Sequence, residues 1–278
     1  MPEVRIVIPE DLDKALDGLI KAGFAGNKAE LARTAITHYL STIPTQLPKG
    51  YDLETAFSPD GRVFQLEYAF ESMKMGGTIV GVWCDDGVAL AKELPKEDAF
   101  MVFPNPFVQT FKIGESTGIV YCGLETDGYF LVEEARKIVG TTKEKSTTDV
   151  EALVQKLALF MQPYSQRKDV RPLAAALIIG GLDSEKRPRL FLLHSGGLAC
   201  EYQACHLGVG CDETKEILKS GYKPKLKLEE AVALAAKAAL RETRKPENVL
   251  LATIEAKTKR FREISLEEKK RMWKTVFP

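Results

Sequence analysis

The sequence predicts an α+β protein in two unequal parts: a small β-α-α module, then a larger layered sandwich of helices over two sheets. Residues 1–44 change hydrophobic period from 2 to 3.6 and then restart after a turn. Ile43–Gly50, IPTQLPKG, breaks the pattern with two prolines and a glycine. From Tyr51 onward, bunched strand-like runs alternate with pairs of helical patterns, an order suited to stacked sheets rather than a βαβ repeat. The expected division is a module at 1–44, a semi-rigid linker at 45–50 and a second domain at 51–278.

The 278 residues are 45% apolar and 28% charged, with a formal net charge of zero. That apolar share is enough for a proper core, and no global charge draws the chain to nucleic acid or an anionic membrane. The start, MPEVRIVIPEDLD, carries acids where a signal peptide needs a basic end and an apolar run. The longest apolar run, Leu173–Ile179, is far shorter than the ~20 residues that span a bilayer. A soluble, cytoplasmic protein without a membrane partner is expected. Cys84, Cys122, Cys200, Cys205 and Cys211 are odd in number, and no two have CxxC spacing. The last three lie near His194 and His206 but lack ligand pairs two to four residues apart on a tight turn. Small buried residues in strands are expected there, with no metal and no cofactor.

In the first module, Val4, Ile6 and Ile8 share one face of a strand Glu3–Ile8, and Glu3, Arg5 and Val7 the other. Pro9 ends the strand, and Glu10 and Asp11 open a helix where its dipole favours acids. Leu12, Leu16, Leu19 and Ile20 form one stripe, and Gly23 stops the helix. Asn27 with Glu30 three residues on reads as a capping box. Leu31, Ala35, Ile36, Tyr39 and Leu40 make the stripe of a second helix. One strand and two helices cannot close a core alone, so the module should dimerise, strand against strand.

This order resembles the ribbon-helix-helix family, through the strand ending in IP before EDLDKALDGLI and through GFAGNKAELARTAITHYL. The resemblance implies DNA contacts by Glu3, Arg5 and Val7 and a phosphate grip by Asn27 and Lys28. Of the strand residues only Arg5 suits base reading. Residues 2–45 hold five basic side chains against six acidic ones, a net charge of −1 where DNA binders carry a basic surplus. Arg5, Asn27 and Lys28 are therefore candidate contacts to a partner, with DNA the less favoured ligand.

The second domain opens with a helix at Phe64–Met75, followed by strands Thr78–Cys84, Gly87–Ala91, Gln109–Ile113 and Gly118–Gly123. Helices at Gly128–Val139 and Thr148–Gln162 come next, then strands at Ala174–Gly181, Arg189–His194, Ala199–Cys205 and His206–Gly210. Helices at Asp212–Ser220 and Leu228–Arg244, a strand at Asn248–Ala256 and a helix at Leu266–Lys274 complete it.

The stretch SPDGRVFQLEYA resembles the N-terminal signature of α-type proteasome subunits, and the likeness extends over Tyr51–Phe277. MQPYSQRKDVRPLAAALIIGGLD, PRLFLLHSGGLACEYQACHLGVG and LKLEEAVALAAKAAL carry it onward. The resemblance implies a four-layer αββα sandwich of the N-terminal-nucleophile (Ntn) hydrolase type. It also implies a non-catalytic, ring-forming subunit that gates a self-compartmentalising protease, with β-type subunits as partners and unfolded proteins as substrates.

Catalytic relatives use a threonine freed as the chain's N-terminus, its own amine acting as base. In KMGGTIVGVW that position falls at Gly77, which has no hydroxyl, while Thr78 is one residue late and on the opposite strand face. Gln109–Thr110 stand where the family has lysine, and Glu93 where it has its acidic partner, so no catalytic residue is expected. The resemblance assigns Tyr51, Asp52, Pro59 and Tyr68 to a cluster that holds the axial gate open. A plainer reading makes Asp52 and Asp60 helix-end caps and the tyrosines core residues. Leu53 replaces the usual arginine, one residue is missing between Tyr51 and Phe57, and neutral Gln109 or Thr110 cannot offer an activator's terminal carboxylate a charge-assisted contact. The rival function is a DNA-binding regulator using the first module, with the larger domain as sensor or oligomerisation platform.

Overall fold

The structure, a computed structural model, describes residues 7–42, 57–95, 108–141, 149–241 and 245–276. The chain divides into two compact units, Met1–Gly50 and Tyr51–Pro278.

The first unit holds α1 (Glu10–Lys21) and α2 (Lys28–Thr42). Glu10, Asp11 and Asp13 occupy the first turn of α1, where the unpaired N–H groups favour negative charge. Gly23 takes a left-handed φ of +84° just beyond its end. Asn27 Oδ1 accepts from Glu30 N at 2.8 Å, and the Glu30 carboxylate accepts from Gly26 N at 2.9 Å. The cap thus forms with its return bond one residue earlier than in a standard capping box. None of residues 7–36 is buried, and Leu12 and Leu19 of the α1 stripe are 47% and 42% exposed. Most of the expected strand Glu3–Ile8, Arg5 included, lies outside the described residues. Its end, Val7–Ile8, belongs to no sheet in the single chain.

The second unit contains α3 (Phe64–Lys74), β1 (Ile79–Cys84), β2 (Gly87–Glu93), β3 (Phe111–Gly114) and β4 (Thr117–Gly123). It continues through α4 (Glu125–Gly140), α5 (Val150–Gln166), β5 (Ala175–Leu182), β6 (Pro188–Leu193), β7 (Ala199–Glu201) and β8 (Ala204–Leu207). It closes with α6 (Cys211–Gly221), α7 (Leu228–Leu240), β9 (Val249–Glu255), β10 (Arg260–Glu263) and α8 (Leu266–Val276). The strands form two five-stranded sheets, ordered β10-β9-β2-β1-β8 and β3-β4-β5-β6-β7, and every pairing is antiparallel.

Alternation along the strands builds the layers. Val88 and Leu90 of β2 face Ala176 and Ile178 of β5 between the sheets. Ala89 and Ala91 turn instead to α6 and α7, and Ala175, Leu177 and Ile179 to α4 and α5. Both central strands are therefore apolar on both faces, and an α+β four-layer sandwich results. Met73 of α3 enters the layer between the sheets and is fully buried.

Three features depart from the sequence expectations. The strands expected at Ala199–Cys205 and His206–Gly210 divide earlier, because the chain changes sheets at Tyr202–Gln203. Tyr202 N still donates to Leu190 O in one sheet, while Gln203 O already accepts from Trp83 N in the other. Strand β10 had no sequence signal: three of its four residues are charged, and only Phe261 packs inward, against Gly118. In addition, α4 begins at Glu125, three residues before the expected Gly128. Asp127 explains that start, since its carboxylate accepts from Arg171 at 2.6 and 2.8 Å and from Ala174 N at 2.8 Å. This staple joins α4 to the entry of β5. Asp127→Ala removes three acceptor bonds and leaves the buried Ala174 amide unpaired. The expected loss is about 2–3 kcal/mol of unfolding free energy, read by urea denaturation.

Candidate functional site

The segment carrying the SPDGR signature is built by short-range bonds. Ser58 is buried; its hydroxyl donates to Asp60 Oδ1 at 2.5 Å and accepts from Arg62 N at 3.0 Å, while Ser58 N donates to Arg62 O at 2.8 Å. Gly61 supplies the left-handed residue at φ +79° that the turn requires. Arg62 then forks onto Glu67 at 2.8 and 2.5 Å and lies over the Phe64 ring at 4.6 Å. The Arg62 bond holds the Glu67 carboxyl below its usual range, and the Ser58 bond does the same for Asp60. These acids are struts of a turn, and Asp60 serves Ser58 rather than capping α3. Pro59 is exposed on the turn and Tyr68 is 50% exposed on α3. The other two residues of the expected cluster, Tyr51 and Asp52, lie outside the described residues. Sequence reasoning missed Ser58 and the Arg62–Glu67 fork; the i, i+5 spacing of that pair across a helix start was its only signal.

In the first unit, Asn27 is occupied as a cap, and Lys28 Nζ meets Asp13 at 2.6 Å and Asp17 at 3.0 Å. The bonds to Asp13 and Asp17 raise the Lys28 pKa. Both candidate contact residues are thus engaged within the hairpin. Arg5 lies outside the described residues.

The stretch Gly76–Thr78 enters the mouth between the sheets in close quarters. A side chain at Gly76 would bring its Cβ to 2.5 Å from Gly123 N, and one at Gly77 to 3.0 Å from Glu93 O. Thr78 is fully buried; its hydroxyl donates to Val209 O at 2.7 Å and accepts from Arg241, and its amide donates to Glu93 Oε2 at 3.2 Å. A hydroxyl so committed is spent on structural bonds, and its burial leaves it no open face for substrate. Thr110, also buried, donates to Glu263 Oε1 at 3.1 Å, so that position presents a carboxylate instead of an ammonium. Arg241 was not anticipated from the sequence; it reaches this mouth only because α7 ends beside it.

Lys92 is also buried there, its side chain 2% exposed, with Nζ 3.9 Å from the Tyr121 ring centre and 3.5 Å from Glu125. Burial lowers its pKa and Glu125 opposes that only in part. Among the described residues no group of three His, Cys, Asp or Glu is placed to hold a metal ion. Cys205 is buried, and Cys211 Sγ donates to Gly208 O at 2.8 Å. Burial lowers the pKa of both His194 and His206. Among the described residues no helix is long and apolar enough to cross a membrane.

Two family models match the chain. The proteasome-subunit family matches over residues 73–257, and the N-terminal signature of A-type (alpha) proteasome subunits over 51–71. Among similar proteins, the proteasome alpha subunit of Thermococcus sibiricus is 34% identical over 82% of this chain and 88% of its own length. That of Methanothermobacter thermautotrophicus is 35% identical over 79% and 90%, and that of Methanosphaerula palustris 36% over 69% and 80%.

The depressed Lys92 pKa makes a signed prediction. The folded state holds this proton less tightly than the unfolded chain, so protonation of Lys92 weighs against folding below its lowered pKa. Stability rises with pH between that value and the ordinary lysine value of about 10.4, and the contribution is complete above it. Lys92→Met fills a similar volume without the charge and leaves Glu125 half exposed. Melts at pH 7 are expected to show stabilisation of about 1–3 kcal/mol, and a series up to pH 10 a flatter profile than the parent's.

Proposed function

The chain belongs to the proteasome α-subunit family, and we propose that it acts there as a non-catalytic ring subunit carrying an N-terminal pairing module. The match of residues 51–71 to the α-type N-terminal signature is the observation that carries this reading. In such a subunit the SPDGR turn and α3 remain attached ahead of the core strands, where a catalytic subunit would have removed them. Gly77 stands at the nucleophile position, and the Thr78 hydroxyl beside it is bound to Val209 and Arg241. The proteolytic step then falls to a β-type partner in the cytoplasm, with unfolded protein as the substrate. Tyr51, Asp52, Pro59 and Tyr68 are the candidates for gate and ring contacts.

The first module takes the place of the usual gating tail. Its two-helix hairpin buries nothing between residues 7 and 36, so it needs a partner to cover the stripe of Leu12, Leu16, Leu19 and Ile20. A second copy of the module supplies that surface in a ribbon-helix-helix-like pair. Pairing two by two does not fit an odd ring such as the seven-membered ring of the family, but modules of two facing rings match one for one. The module is thereby suited to plugging the pore or joining rings. The DNA-regulator alternative lacks support, because Lys28 is tied to Asp13 and Asp17 and the segment is net acidic.

Native mass spectrometry and electron microscopy of the complex recovered from its source test the proposal. Closed rings that contain a β-type partner are the expected result, with chains uncut at Gly77. Particles never larger than dimers would overturn the ring, and self-cleavage after Gly77 would overturn the non-catalytic assignment.

A further inference from the structure

We propose that Thr78, Glu93, Val209 and Glu213 form a binding site for an alkylguanidinium group, an arginine receptor that Arg241 fills in cis. Arg241 Nη1 donates to Thr78 Oγ1 and, at 2.5 Å, to Val209 O. Its Nη2 lies 3.4 and 3.3 Å from the two Glu93 oxygens, and Nε 3.7 Å from Glu213. A guanidinium has five N–H donors and no acceptor, and the site offers it acceptors on every side. Even the one hydroxyl conforms: the Thr78 proton is spent on Val209 O at 2.7 Å, so only its lone pairs face the cation.

The floor of the site also has the shape of a planar group. Gly210 lies beneath the guanidinium, and a Cβ there would stand 2.7, 2.8 and 2.9 Å from Arg241 Nε, Cζ and Cδ. Any other residue at that position would push the plane away. The side chains of Arg241 and Glu93 are only 14% and 19% exposed, and Thr78 is fully buried. Charge-assisted bonds here are less screened than on the open surface. The backbone bears a matching sign: Arg241 sits at φ 49°, ψ −91°, which a residue with a Cβ rarely adopts. The occupied site holds that conformation in place. It also clamps four segments together, namely the entry to β1, the end of β2, the loop into α6 and the end of α7. A lysine could not serve equally, since a compact ammonium cannot span these acceptors as a flat fork does.

The site stands on its own geometry and does not depend on ring assembly, so either proposal can fail without the other. The test uses the full chain with Arg241→Ala, titrated with millimolar methylguanidinium chloride and followed by thermal unfolding. Methylammonium chloride at equal concentration is the control. The variant is expected to melt several degrees below the parent, with a saturable part of the loss restored by methylguanidinium and not by methylammonium. The parent, whose site is full, should show no saturable rise, and Arg241→Ala/Glu93→Gln should lose the response. Equal effects of the two cations, or an undiminished response in the double variant, would overturn the proposal. Should Arg241→Ala not fold unaided, refolding yield with and without methylguanidinium is the readout. A specific gain supports the site, and no gain overturns it.

Discussion

The apolar layer between the two sheets is the constraint on which the rest of the second unit depends. Its spacing is set where backbone meets side chain: a Cβ on Gly81 would stand 2.7 Å from Leu190 and 2.8 Å from Ile178 of the opposite sheet. Cores are packed densely enough that such a contact would force the Leu190 and Ile178 side chains to shift. With that distance set, the other parts follow. Val88 and Leu90 mesh with Ile178 and Leu190, Met73 of α3 enters the same layer, and both outer faces remain apolar for helices to cover. The helix layers are therefore a consequence of sheets with two apolar sides.

The same close approach governs the mouth of that layer. Gly76 and Gly77 pass Gly123 and Glu93 with little space for side chains, and polar groups brought there must be answered locally or lose solvation. Each described group at this rim is answered. Thr78 has Val209 and Arg241, Glu93 has the Thr78 amide and Arg241, Thr110 has Glu263, and Lys92 has Glu125 and the Tyr121 face. Such a set resembles catalytic machinery in residue type, but its two described threonine hydroxyls are both spent on bonds to other segments. Reactivity requires a nucleophile with a free base and room for substrate. Here the bonds that Thr78 and Thr110 make instead join chain segments.

The first unit poses the opposite problem. Its helices are well marked at their ends, with acids at the start of α1, Gly23 beyond its end and the Asn27–Glu30 cap of α2, yet none of residues 7–36 is buried. Local capping suffices to say where a helix begins. Stability comes from burying a face, and a hairpin of this size has too little surface to bury against itself. Among the described residues of this unit, well-capped helices therefore leave their apolar stripes uncovered within the single chain.

Much of this was legible in the sequence because it rests on short range. Strand alternation and helix stripes are local patterns, and they predicted helices layered over two sheets, while the signature segment was recognised through its family resemblance. The less legible parts were those whose cause lies far along the chain. The stretch Ala199–Leu207 did not reveal that it changes sheets at Tyr202–Gln203, since the pairing partners Leu190 and Trp83 decide it. Charged β10 is a strand only because β9 offers an edge, and the start of α4 awaited Arg171, 44 residues on. For the candidate site, the sequence by itself determined that Gly77 lacks a hydroxyl and that Thr78 follows it. Only the tertiary structure decided that Arg241, 163 residues beyond Thr78, would close the mouth. A hydrogen bond depends on distance in space, and no local pattern records which distant residue folding will bring within reach.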